Sequence, residues 1–304
     1  MKPGLLMLPS AVSNSRVHNI LPNKIDTDFQ FSRASAATRV NHQGLIEDVG
    51  YFGPELVQNG NFSELGSEEL TNYNFENGAT GWNISSDSYV QNNKLFADTG
   101  ALLYQSGGLT SNKTYKVVID IESVTQDGLN IYAYGNQSST ITTAGIHTLY
   151  IVAGTSNTLV GFNPISHFIG VINSISFKQV DPNDRWTLTT IKFTGANTFE
   201  NTATNGKLHQ SFTTVVGSKY KVSATINSGT WNVVASTNDN TGGQIASTAN
   251  TTTSEFFEFT ATATTTFILL YNIGASGSVA SITDASVVEV QGDRPRLSYD
   301  ITNG

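Results

Sequence analysis

Two tyrosines separated by a single residue, Tyr132 and Tyr134, form the pair in this sequence best suited to hold a sugar ring. Aromatic faces stack on the apolar face of a sugar, and residues i and i+2 of a strand present their side chains on one surface. The pair therefore predicts a shallow carbohydrate-binding strip on a sheet. Tyrosine is also common in strands for structural reasons, so a cross-strand pair or a contact with a neighbouring subunit is the competing interpretation.

Four residues near the start of the strand-rich region carry oxygen ligands of the kind that calcium prefers. Glu55, Asn59, Asn61 and Glu76 supply carboxylate and amide oxygens. Their spacing matches no compact loop such as an EF-hand, so the side chains of solvated loops are the alternative. A structural calcium ion is the one cofactor that the sequence suggests.

The sequence lacks residue patterns typical of catalysis. Asp120 and Glu122 lie two apart on one predicted strand face, whereas glycosidases place their two carboxylates on opposite sides of a cleft. The five histidines are scattered without a metal-binding spacing, and there is no nucleophile elbow, phosphate loop or dinucleotide motif. With no cysteine, disulfides and cysteine-based metal sites are excluded. We expect a protein that is not an enzyme.

Composition favours β-structure and restricts the partners. Charged residues make up 13% of the chain, against a usual share of about 25%. Threonine, serine, asparagine and glycine, which favour turns or exposed strand positions, are abundant. The net charge of −8 and the absence of a basic run disfavour nucleic-acid binding. No apolar stretch is long enough to cross a bilayer, so no membrane insertion is expected.

Alternating apolar residues place the candidate side chains on strands. Between residues 115 and 121 every odd position is apolar, which is the period of a strand with one buried face. Similar segments recur at a spacing of roughly 110 residues, which indicates an internal duplication. The matched segments are 93–95 with 206–208, 114–117 with 219–222, 130–133 with 232–235, and 174–180 with 285–290.

These patterns predict an all-β chain with two tandem β-sandwich, or jelly-roll, modules on an extended N-terminal attachment segment. Trp82 and Trp231 are predicted in the module cores, and Trp186 at the junction between the modules. In the repeat, Tyr132 and Tyr134 correspond to Val234 and Ser236, so one module is expected to bind and the other to act as a spacer. The expected divisions are 1–54 for the attachment segment, 55–181 and 185–291 for the modules, and 292–304 for a C-terminal strip that pairs with the attachment segment.

The two ends of the chain carry motifs of their own. The run FQFSRASAATRVN from Phe29 to Asn41, followed by GLIE at Gly44, resembles a leader common in phage structural and fibre proteins. In those proteins a Pro-Arg-apolar-x-Tyr-Asp element follows soon afterwards, whereas here it begins at Pro295, some 245 residues later. The two modules thus look inserted between the halves of an attachment unit.

This resemblance implies a virion location, as a head fibre, tail fibre or capsid decoration. It also implies other virion proteins as partners and a homo-oligomeric state. Arginine makes rigid multidentate contacts with carboxylates and carbonyls. We therefore expect attachment contacts from Phe29, Phe31, Arg33, Arg39, Arg294 and Arg296.

The modules resemble a second family. ELVQNGNF, which begins at Glu55, and NFENGATGW, which ends at Trp82, are similar to the opening of galactose-binding-like carbohydrate-binding modules. The resemblance implies β-jelly-rolls, often with a structural calcium ion, and sugar binding. The second copy shows no clear Asn-Gly-Asn-Phe opening, so its sugar-binding role is expected to be weaker.

We therefore expect a phage virion structural protein that docks by its N-terminal segment and projects β-sandwich modules, which would contact host-surface glycans. A dedicated carbohydrate-binding receptor adhesin is the alternative. A tailspike depolymerase is a third reading, disfavoured because the sequence shows neither a parallel β-helix repeat nor a paired-acid constellation.

Overall fold

The computed structural model describes residues 52–290 in full, together with the backbone of five short strands before them. These are β1 (Pro9–Ser13), β2 (Arg16–Asn19), β3 (Phe29–Gln30), β4 (Thr38–Val40) and β5 (Ile46–Asp48). The attachment contacts expected of the side chains of Phe29, Phe31, Arg33, Arg39, Arg294 and Arg296 lie outside the described part.

The prediction of an all-β chain is confirmed. Apart from a single 3-10 turn at Thr241–Gly243, the regular elements of the described residues are strands. Within residues 52–290 no helix is long and apolar enough to span a bilayer.

The first module is built around two long strands that run through both of its layers. The first half of β11 pairs with β13 and with the second half of β14, and its second half pairs with β12 and with the first half of β14. Irregular register between residues 120 and 128 lets β11 turn from one layer into the other. The strands are β7 (Leu65–Glu68), β8 (Tyr89–Gln91), β9 (Lys94–Thr99), β10 (Leu103–Ser106), β11 (Thr114–Ala133), β12 (Asn136–Gln137), β13 (Gly145–Val152) and β14 (Leu159–Val180).

The second module has two separate antiparallel sheets that enclose one hydrophobic core. One sheet has the order β15-β18-β23-β20-β21, and the other the order β16-β17-β24-β19-β22, with β6 added on β24. The strands are β6 (Phe52–Glu55), β15 (Thr187–Thr189), β16 (Ile191–Phe193), β17 (Thr198–Asn201), β18 (Lys207–Thr213), β19 (Lys219–Ser228), β20 (Trp231–Ser236), β21 (Gln244–Ser247), β22 (Glu255–Thr260), β23 (Thr265–Asn272) and β24 (Val279–Val290).

The segment that starts at Phe52 belongs to the second module, although it precedes the first one in sequence. Its strand β6 pairs with β24, and Phe62 is 1% exposed in the core of the second module. Phe62 packs against Trp186 and Phe199 at ring-centroid distances of 5.0 and 5.1 Å. This placement corrects the boundary expected at residue 55, because the first module, residues 65–180, is inserted into a loop of the second.

The insertion also locates the opening motif that the second copy seemed to lack. Asn59 and Phe62 of ELVQNGNF occupy the places that Asn72 and Phe75 hold in the first module. Trp186 Nε1 donates to the carbonyl oxygen of Asn59 at 3.0 Å. The indole of Trp82 makes the same bond to Asn72 at 3.1 Å.

Further repeated contacts support the duplication. The hydroxyl of Tyr115 accepts from the Thr110 backbone N–H at 2.7 Å, and that of Tyr220 accepts from Val215 at 2.8 Å. One of the four matched segments is corrected: residues 94–95 open β9, whereas residues 207–208 open β18, the counterpart of β10.

The ends of the inserted module are tied to each other and to the second module. Leu65 is paired with Val180, so the chain enters and leaves at neighbouring positions. The Asp181 carboxylate is 4% exposed and accepts from Asn59 Nδ2 at 3.0 Å and from the Trp186 backbone N–H at 2.8 Å. The segment 181–184, at the boundary expected between the two modules, is therefore an ordered junction.

Candidate functional site

The two tyrosines of the predicted strip lie in different environments. Tyr134 is 4% exposed, and its hydroxyl donates to the carbonyl and accepts from the N–H of Leu109, both at 2.9 Å. Strand β11 ends at Ala133, and Tyr134 has a φ of 52°, which breaks the alternation and turns its ring into the core. Tyr134 is thus a core residue, and the expected two-tyrosine strip on one strand is wrong.

Tyr132 lies on the outer face of the sheet, in a row that crosses four strands and an adjoining bridge. It is paired with Gly161 on β14, and Gly161 is paired with Tyr104 on β10. Both tyrosines are half-buried, and the row ends on exposed amides at both sides. We call the five residues the tyrosine row: Asn83, Tyr104, Gly161, Tyr132 and Gln137.

Gly161 leaves the middle of the row without a side chain. Its φ is +156°, and a Cβ there would lie 2.2 Å from the Leu103 carbonyl oxygen, so no other residue fits. Neighbouring strands are about 4.8 Å apart, which puts the backbones of Tyr104 and Tyr132 about 10 Å apart. The row therefore has one aromatic side chain on each side of a gap in the line of side chains, and the backbone of Gly161 at its floor is buried.

Amide groups surround this gap. Gln137 Oε1 accepts from Asn130 Nδ2 at 3.1 Å and from Asn163 Nδ2 at 2.9 Å. Asn157 Nδ2 donates to the Tyr132 hydroxyl at 2.6 Å. Each carboxamide has two donors and an acceptor, and these suit the hydroxyl groups of a sugar.

The second module has no such row in the equivalent place. By strand pairing, Val234, Leu269 and His209 stand where the first module has Tyr132, Gly161 and Tyr104. Val234 and Leu269 are fully buried on this face. The loop after β20 folds back here, because Ser236 Oγ donates to the Asn240 carbonyl at 2.7 Å. The match of Tyr132 with Val234 made from the sequence agrees with this register.

The four residues considered for calcium do not form a common site. Glu55, Asn59 and Asn61 belong to the second module, whereas Glu76 follows Phe75 in the first. Glu55 Oε1 accepts from the backbone N–H of Val287 at 2.8 Å, and Asn59 Oδ1 accepts from Glu64 at 3.0 Å. Glu55 and Asn59 thus act as acceptors for backbone N–H groups within the second module, and the structure does not bring the four residues together.

Other side chains singled out from the sequence have structural roles. Glu122 pairs with Lys94, and Asp120 accepts from Asn173 Nδ2 at 3.2 Å, as expected for carboxylates on a solvated strand face. Within the described part, no group of three or more histidine or carboxylate side chains is arranged to hold a metal ion. The three tryptophans are buried: Trp82 in the first core, and Trp186 and Trp231 in the second.

No protein-family model and no curated protein matches the chain. Among solved structures, it is similar to the N-terminal tandem CBM22-1-CBM22-2 domain of Xyn10C from Paenibacillus barcinonensis, with 12% identity and a TM-score of 0.27, over 74% of this chain and 98% of that one. An anti-sigma factor domain-containing protein aligns with 12% identity and a TM-score of 0.18, over 66% and 83% of the two chains. The protein Ylba from E. coli aligns with 10% identity and a TM-score of 0.18, over 78% and 93%. Scores this low carry no function across.

Proposed function

We propose that this chain is a non-enzymatic adhesive protein whose first module binds glycans through the tyrosine row. The observation that carries the proposal is the pairing of Tyr104 and Tyr132 across Gly161, with amides at both ends of the row. Aromatic faces supply apolar contact to sugar rings, and the amides supply hydrogen bonds to hydroxyl groups.

The duplicated module gives an internal contrast for this proposal. It keeps the strand pairing but has Val234 and Leu269 in the row, both fully buried. We therefore assign binding to the first module and a carrier role to the second.

We further propose that the protein is part of a bacteriophage particle, as a head or tail fibre or a capsid decoration. The leader motif from Phe29 and the element from Pro295 support this location. On a particle with many copies, weak binding by each module adds up to firm adhesion. Detection of the chain by antibody in gradient-purified phage particles tests the location, and its absence from them would contradict it.

The binding test is a glycan array with the full chain, followed by titration of the best glycan. Tyr104→Ala and Tyr132→Ala are each expected to weaken binding by about tenfold, which corresponds to about 1.4 kcal/mol. Tyr73→Ala is the matched control, because Tyr73 is a 40% exposed tyrosine of the same module outside the row. Unchanged binding by both row variants, with an unchanged melting temperature, would overturn the assignment.

A further inference from the structure

A second aromatic surface lies on the other edge of the first module. Tyr89 on β8 and Phe96 on β9 are cross-strand partners with stacked rings, 4.9 Å between centroids and 5° between planes. Tyr89 is 52% exposed beside this neighbour, so a large part of its side chain is accessible. Phe96 is paired in turn with Val171 on β14.

These rings border a cavity of about 310 Å³ on the sheet surface. Ile169 and Val171 provide further apolar lining, and Ser123 and Thr125 provide hydroxyl groups. Two carboxylates, Asp87 and Asp98, complete the polar part, and the lining contains no lysine or arginine. The cavity thus combines apolar rings with negative charge.

The second module shows what this position looks like without the aromatic pair. Thr194 and Thr198 stand in place of Tyr89 and Phe96, as the 2.9 Å backbone bond between them and the pairing of Thr198 with β24 establish. Next to them, Lys192 and Glu200 are cross-strand partners and form an ion pair of 3.0 Å.

The corresponding positions in the first module are Asp87 and Asp98. Like charges at opposed positions of a sheet are unfavourable, whereas the second module neutralises its carboxylate internally. Asp98 Oδ1 lies 2.6 Å from His167 Nε2, so one oxygen of this carboxylate already has a partner. Asp87 is exposed and adds a second negative charge to the cavity, which favours a cationic ligand.

We propose that this cavity binds a protonated amino sugar. Its ring lies against Tyr89, and its ammonium group lies between the aromatic faces and the carboxylates of Asp87 and Asp98. Aromatic faces attract cations, and a carboxylate strengthens that attraction. The site is separate from the tyrosine row, so its failure and that of the proposed function are distinguishable.

The test uses the full chain and isothermal titration with a fully deacetylated glucosamine hexamer at neutral pH and low salt. Its N-acetylated equivalent is the matched control, since it has the same rings without the positive charge. We expect the deacetylated hexamer to bind about tenfold more tightly. Equal affinity for the two oligomers, or no binding of the deacetylated one, would refute the proposal.

Three variants locate the site. Tyr89→Ala should weaken binding of the deacetylated hexamer by about tenfold, and Asp87→Asn should remove most of the preference over the acetylated form. Tyr73→Ala, at an exposed tyrosine of the same module outside both the cavity and the tyrosine row, should leave both unchanged. If Tyr89→Ala keeps the wild-type affinity and melting temperature, or if Tyr73→Ala abolishes the preference, the amino sugar is not bound here.

Discussion

Replacement of Phe62 by alanine is expected to destabilise the second module and to spare the first, although Phe62 precedes the whole first module in sequence. Its side chain is 1% exposed and contacts the rings of Trp186, Phe199 and Phe193 at 5.0, 5.1 and 6.5 Å. Truncation of a buried phenylalanine to alanine costs about 3–5 kcal/mol, a large part of the roughly 5–15 kcal/mol that stabilises a domain.

The matched control is Phe75→Ala. Phe75 is fully buried in the first module and packs against Trp82 at 5.4 Å, so its loss should cost a similar amount there. Hydrogen exchange measured by mass spectrometry in mild urea separates the two effects, because peptides from β11 and β14 report on one module and peptides from β19 and β23 on the other. The reasoning is refuted if Phe62→Ala exposes β11 and β14 while β19 and β23 stay protected.

Four further outcomes are expected. Replacing residues 65–180 by a loop like residues 76–81 should leave a folded second module, seen as one cooperative melting transition. Tyr115→Phe should lower the unfolding free energy by about 1 kcal/mol in urea titrations, because the backbone N–H bound to its hydroxyl loses its acceptor. Burial holds the pKa of His209 below its ordinary 6.5, so the unfolded chain takes up the proton first. Stability should therefore fall as pH drops below about 6.5, and His209→Gln should flatten this dependence. Chelation of calcium should leave the melting temperature unchanged. A lower melting temperature after chelation would show that the folded protein binds a calcium ion.

The sequence predicted the strands well because one-sided burial leaves a direct alternation, as in residues 115–121. It predicted the position of Tyr132 on an outer face for the same reason. Tyr134 was misplaced because alternation holds only while the strand continues, and the left-handed φ of 52° at this residue has no clear signal in the sequence. Tyr104 was missed because it joins the row only through its pairing with Gly161. Periodicity within a segment does not show which strands pair when they are far apart in sequence.

The position of the opening motif shows a different limit. Residues 55–62 were assigned to the module that follows them, because neighbouring segments usually pack together. The pairing of Glu55 with Val288 and the burial of Phe62 beside Trp186 show that the motif completes a module whose other strands come more than a hundred residues later. The sequence does contain a trace of this. ELVQNGNF, which begins at Glu55, and EELTNYNF, which begins at Glu68, are two similar openings in succession.

Insertion has a physical consequence for adhesion that a tandem arrangement would not have. A tandem module is held by one connection and can rotate about it, whereas the first module here leaves the second through two neighbouring strands at Leu65 and Val180. The buried Asp181 carboxylate joins both connections through Asn59 and Trp186, and Lys113 pairs with Asp184 across the junction. For the proposed adhesion, restricted rotation would lower the entropy lost when many copies bind one surface together, so the way the module is attached would strengthen binding by the tyrosine row.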